Sequence, residues 1–126
     1  MKTAQELYDI SKISAQDIIN EILDGVREHI IQKCEEKAFE GATYYTIHLK
    51  QAEIYVKDLL LEECLKIAKE FEDNGYQVSI KDYGNGYYIN FCMTFSWDNE
   101  ANLSKDDCLY NTNDGIMEGD EKNGEF

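Results

Sequence analysis

His29, His48, four cysteines and two adjacent glutamate pairs are the residues of this 126-residue chain whose types are suited to chemistry. His48 stands alone in an alternating segment, with no cysteine or carboxylate spaced to join it as a metal ligand. His29 follows Glu28 in a helical stretch and is expected to be solvated. Cys34, Cys64, Cys92 and Cys108 form no CxxC or zinc-type cluster. Cys34 and Cys64 fall on apolar helical stripes, where a buried thiol behaves as a small hydrophobe, and reduced thiols are expected throughout. Glu35-Glu36 and Glu62-Glu63 are neighbours in sequence, so their carboxylates diverge on a helix and cannot act as an acid–base couple.

Two further motifs are equally unpromising. Gly84-Asn85-Gly86 is a turn rather than a phosphate cradle, because no helix follows it. Asn111, Asn113, Asp114, Glu118, Asp120 and Glu121 offer oxygen ligands of the calcium type but lack the EF-hand register. No nucleophile elbow, P-loop, HExxH or dinucleotide fingerprint occurs. The expectation is therefore a protein that is not an enzyme and takes no cofactor or metal.

The elements that would position these residues follow from periodicity. A short helix is predicted over 4–11, and a main helix over 14–41, opened by Ser14-Ala15-Gln16-Asp17 as a capping box with Asp for Glu. Its stripe is Ile18, Ile22, Val26, Ile30, Cys34 and Ala38, with Gly41 as the stop. Gly25 costs such a helix about 1 kcal/mol against Ala and marks a bend or a close contact. Residues 43–49 alternate as a strand with Tyr45, Ile47 and Leu49 on one face. A second amphipathic helix is predicted over 51–73, carrying Val56, Leu60, Cys64, Ile67 and Phe71 and ending at Asn74-Gly75.

Strands over 76–81 and 87–97 then form a hairpin. With Asn85-Gly86 as its two-residue loop, Val78 faces Met93, Ile80 faces Phe91 and Tyr76 faces Phe95. The fold class is α+β: a three-stranded, mostly antiparallel sheet with two main helices on one face. The long apolar strand 87–97 lies in the middle, flanked by 43–49 and 76–81 running parallel to each other. The uncovered face would show Tyr44, Thr46, His48, Gln77, Ser79, Lys81, Tyr88, Asn90, Cys92, Thr94 and Ser96. It is polar and nearly uncharged, so it is either solvated sheet or an interaction face, with Tyr44, His48, Tyr88 and Asn90 as candidate contacts.

Charge divides the chain at Trp97. The net charge is −14, and residues 98–126, with nine acids and two bases, hold half of it. The domain is expected to be 1–97, followed by an acidic tail that is largely disordered or folds on a partner, and truncation after Trp97 should leave the body folded. Leu109, Tyr110, Ile116 and Met117 interrupt the tail's polarity as anchor residues for a partner or the body. An acidic surface repels nucleic acid and anionic membranes and attracts basic proteins. The candidate partner-binding carboxylates are Glu35, Glu36, Glu40, Glu62, Glu63 and Glu70 on the helices, with Asp106, Asp107, Asp114, Glu118, Asp120 and Glu121 in the tail. No basic footprint for direct nucleic-acid binding is present, and no apolar run reaches the length of a membrane span.

The opening Met1-Lys2-Thr3-Ala4-Gln5-Glu6-Leu7, the Asn74-Gly75-Tyr76-Gln77-Val78 segment and the closing Tyr87-Tyr88-Ile89-Asn90-Phe91 resemble small phage and prophage proteins of helix–strand–helix–hairpin type. The resemblance covers 1–97 and implies a protein of the host bacterial cytoplasm. It also implies a non-enzymatic inhibitor that binds a basic host defence protein through its acidic surface. That partner would be of the nucleic-acid-binding kind, met by mimicry as anti-CRISPR proteins and DNA mimics do. The alternatives are an assembly module that oligomerises through the uncharged sheet face or a strand edge, and a protein that sequesters a nucleotide or other small molecule.

Overall fold

Thr3 starts the first helix. Its hydroxyl accepts from the Glu6 N–H at 3.1 Å while its own N–H donates to Glu6 Oε1 at 2.8 Å, a capping box eleven residues before the predicted one. With no glycine or proline to stop it, α1 (Ala4–Leu23) runs straight through Ser11 and Ser14, so the predicted short helix and the cap at Ser14 are corrected. The interruption falls instead at Gly25, whose φ of 71° is left-handed and ends helical geometry at little cost to glycine. α2 (Val26–Phe39) follows. The computed structural model describes residues 1–98, 108–113 and 115–116.

Beyond α2 come β1 (Tyr44–His48), the two-residue β2 (Ala52–Glu53), a 3-10 turn (Ile54–Val56) and α3 (Lys57–Glu72). The strands β3 (Gln77–Asp82), β4 (Tyr88–Ile89), β5 (Phe91–Ser96), β6 (Cys108–Asn111) and β7 (Gly115–Ile116) complete the chain. The main sheet is ordered β1-β5-β3-β6-β7 with every neighbouring pair antiparallel; β2 and β4 make a separate ribbon. The α+β class and the central place of β5 between β1 and β3 match the sequence reading, but the sheet has more than three strands. Two departures explain this. Tyr88 and Ile89 leave the predicted strand 87–97 to pair with Glu53 and Ala52, and β6 adds to the outer edge of β3.

The β3–β5 register differs from the predicted one by two residues. Val78 faces Phe95 and Ile80 faces Met93, while Tyr76 packs against Phe71 and Trp97 at centroid distances of 5.1 and 6.3 Å. The cause is a turn that slides by one position. Asn85 N–H donates to the Tyr88 carbonyl at 3.0 Å, which puts Gly86-Tyr87 at the tip, and the Asn85 side chain accepts from the N–H of Tyr87 and Tyr88. Sliding a two-residue loop by one shifts cross-strand partners by two and preserves which side chains face inward. Gly84 permits this path, since a Cβ there would lie 2.3 Å from the Tyr88 carbonyl oxygen. Asp82 holds the loop base, accepting from Gly84 and Asn90 N–H at 2.8 and 3.0 Å.

The core lies between the helices and the inner face of the sheet. Phe91, Met93 and Phe95 of β5, Val78 and Ile80 of β3, Leu60, Cys64 and Ala68 of α3, Ile30 of α2 and Ile19 of α1 are fully buried. The opposite sheet face is not the open surface expected, because Ser79, Cys92 and Ser96 on it are buried along with Asn111. The fold also continues beyond Trp97. Leu109 joins the core, Tyr110 OH donates to Glu72 Oε2, and the Thr112 hydroxyl donates to the same oxygen at 2.7 Å while accepting from Val78 N–H. The boundary placed at Trp97 is thus corrected: β6 is part of the sheet. A chain ending at Trp97 should be destabilised by at least about 2 kcal/mol, the scale of one buried leucine. Urea denaturation of the truncated and full chains measures this, and equal midpoints would contradict the role given to β6.

Candidate interaction surface

The helix carboxylates singled out from sequence are mostly neutralised within the fold. Arg27 of α2 grips Glu70 of α3 with two donors, Nε lying 2.8 Å from Oε1 and Nη2 2.5 Å from Oε2, and also pairs with Glu28 at 3.1 Å. Lys33 pairs with Glu36 at 3.3 Å, Lys37 with Glu40 at 3.4 Å and Lys66 with Glu63 at 3.0 Å. Hydrogen bonding to Arg27 holds the Glu70 carboxyl below its ordinary range, and Lys33 does the same for Glu36. Glu35 and Glu62 are exposed without an ion pair among the described residues. Asp106, Asp107, Asp114, Glu118, Asp120 and Glu121 lie outside the described residues, as does Met117.

The sheet-face candidates do not assemble into one surface. Tyr44 and His48 are exposed on β1. Tyr88 sits in the β2–β4 ribbon, outside the sheet that carries Tyr44 and His48. Asn90 is half-buried, its N–H given to Asp82 and its carbonyl to Tyr83 N–H. Among the described residues, His48 Nε2 approaches Cys92 Sγ at 3.9 Å, and His29, expected to be solvated, bonds the Tyr45 hydroxyl at 3.1 Å. All four cysteines are buried and stand outside any disulfide. Burial pushes the Cys34 thiol up to about 11 and Cys64 to about 12, so both stay protonated and unreactive at neutral pH. Among the described residues, no three His, Cys, Asp or Glu side chains converge to hold a metal.

A groove of about 380 Å³ runs past Arg27, Ile31, Phe71 and Tyr76. It holds the chain's one arginine, but that guanidinium is already committed to two carboxylates. An anionic ligand there would have to displace them.

The surface that sequence reasoning missed is the first half of α1. Every residue from Ala4 to Ser14 is exposed, and Leu7, Tyr8, Ile10 and Ile13 are exposed by 54, 58, 45 and 66%. Only from Ala15 does the helix pack, through Ile19 and Ile22. The arm stays helical through its cap, its Gln5–Asp9 hydrogen bond at 2.9 Å and the Lys12 ammonium 5.5 Å from the Tyr8 ring. Beside it, Ile10, Ser11, Ser14, Ala15, Ile18 and Tyr55 line a groove of about 260 Å³. A second groove of about 350 Å³, on the side of Ile22, shares Ile18 and includes Glu21, Lys50, Glu53 and Tyr88. Apolar residues at these spacings were visible in the sequence, but periodicity reports a stripe without reporting what lies beneath it.

No protein-family model, curated protein or solved structure matches the chain. Among the described residues, no helix is long and apolar enough to cross a membrane.

The Arg27–Glu70 clamp has a defined pH signature. A carboxyl held low in the folded state adds stability above its unfolded value near 4.5, and that stability is lost as pH falls through the folded value. Arg27→Ala should raise the Glu70 midpoint towards 4.5 and abolish this contribution. Carbon-detected NMR titration reads the midpoint directly; an unchanged value in the variant contradicts the assignment.

Proposed function

We propose that this protein is a non-enzymatic binding protein that engages a basic partner protein, with the exposed arm of α1 as its apolar contact. The observation that carries the reading is that arm: three helical turns presenting Leu7, Tyr8, Ile10 and Ile13 to solvent on a chain of net charge −14. Exposed large apolar side chains grouped on one element mark an interaction site, while the surplus of carboxylates steers a basic protein towards it and speeds encounter. The likeness of 1–97 to phage proteins supports a host bacterial protein as the target and inhibition as the outcome.

Mimicry of nucleic acid receives less support. Glu36, Glu40, Glu63 and Glu70 are each tied to a base, which leaves fewer free charges in the body to imitate a phosphate row. Oligomerisation through the sheet face is also less favoured, since Ser79, Cys92 and Ser96 are buried and Tyr88 lies off that sheet.

Immobilised full-length protein, challenged with bacterial lysate at low and high salt, tests the reading. The expected result is capture of a basic protein that elutes at high salt and is not retained by the Leu7→Asp/Ile10→Asp variant. Capture of nothing basic at low salt, or retention indifferent to salt, counts against it.

A further inference from the structure

The groove beside the arm carries a more specific reading, resting on the proposal that the protein binds a basic partner. We infer that the groove between α1 and Tyr55 is the docking site for an amphipathic helix with basic flanks. The floor is made of small side chains, Ser11, Ser14 and Ala15, spaced by three and one along α1 and walled by Ile10, Ile18 and the 75% exposed ring of Tyr55. Small residues beneath larger walls let a second helix lie close, its ridge of side chains entering the groove. From Leu7 to Ile18 the apolar track is about 16 Å long, the length of a three-turn helix. Helix-in-groove recognition uses apolar anchors at i, i+3 or i+4 and i+7, which this length accommodates.

Charge selects the occupant. Asp17 and Glu21 stand one turn apart on α1 beside Ile18, exposed and without ion pairs among the described residues. Glu53, also exposed, borders the neighbouring groove with Lys50. Three carboxylates against one ammonium favour lysine and arginine on the incoming helix, in contact with the rim while its apolar face fills the groove. A second copy of this chain is a poor fit for the same reason. Its α1 would bring its own Asp17 and Glu21, and a body of net charge −14, against like charge.

Fluorescence anisotropy with three labelled synthetic peptides tests the inference on the full-length protein. One is a four-turn helix with leucines on one face and lysine and arginine elsewhere; the second has the same composition scrambled; the third replaces its bases with glutamate. The amphipathic basic peptide should bind at least tenfold tighter than either control. Leu7→Asp/Ile10→Asp and Tyr55→Asp should each weaken it at least tenfold, and Asp17→Lys/Glu21→Lys should shift preference towards the glutamate peptide. All these positions are exposed, so folding should be preserved; far-UV circular dichroism checks this, and Tyr44→Asp on β1 should bind as the parent does. Equal binding of the scrambled peptide, or unaltered binding by the arm variants, overturns the inference. So does a wild-type dimer dissociated by Leu7→Asp/Ile10→Asp in sedimentation equilibrium, since a second copy would then hold the groove. If the arm variants bind the peptide normally while lysate capture stays salt-sensitive, the groove is excluded and the wider binding reading stands.

Discussion

The structure depends on burying the inner face of β5. Phe91, Met93 and Phe95 are fully inaccessible, and Phe95 meets Phe71 of α3 at 4.8 Å between ring centroids. An uncharged strand with both edges paired, to β1 and β3, can satisfy its backbone groups only in the middle of a sheet. Once it is there, α3 must cover it, because Leu60, Cys64, Ala68 and Phe71 form the only long apolar stripe between β1 and β3 in the chain. The second half of α1 and the inner side of α2 complete the cover through Ile19, Ile22, Val26, Ile30 and Cys34. The first half of α1 has no such duty, and that is why it is available for something else.

Much of this was legible in residue pattern. The alternation of Val78 and Ile80 with polar neighbours, and of Phe91, Met93 and Phe95 with Cys92 and Thr94, set the inward faces correctly because strand parity survives a register error of two. The error itself arose from local turn chemistry. Asn85-Gly86 is a strong hairpin signal, yet Asn85 serves better one position earlier, where its side chain accepts from two backbone N–H groups. At Gly25 the sequence showed a weakness without revealing whether the helix would bend or stop. β6 was harder to see, because four residues, Cys-Leu-Tyr-Asn, are too few to show a period. Leu109 and Tyr110 were recognisable as anchors, but Tyr110 docks on Glu72, 38 residues away in sequence, and Leu109 on a core assembled from distant elements.

The interaction surface was less legible, for a different reason. Composition counts charges, while function depends on which remain free after neighbours pair. Glu70 looked like a candidate contact until Arg27, far from it in sequence, closed on it across two helices. Conversely, the pattern over residues 4–11 indicated a short helix and assigned Leu7 and Ile10 no role. Whether an apolar stripe is core or contact is decided by the tertiary neighbour, and here the body ends before the helix does. Among the described residues, Asp17 and Glu21 are without ion pairs and border apolar surface that nothing covers, a pairing of features that neither net charge nor periodicity expresses alone.

α1 is one continuous helix whose first half, among the described residues, is exposed throughout and packs on no part of the hydrophobic core. Amide hydrogen exchange along α1 tests this central claim most directly, since a helix held only by its own hydrogen bonds opens far more readily than one that shares the core. Fast exchange is expected through Ser14 and protection near the global unfolding limit from Ile19 to Leu23, with the step at Ala15. Uniformly strong protection from Leu7 onwards in the monomeric protein would contradict it, because the arm would then already have its partner within the chain.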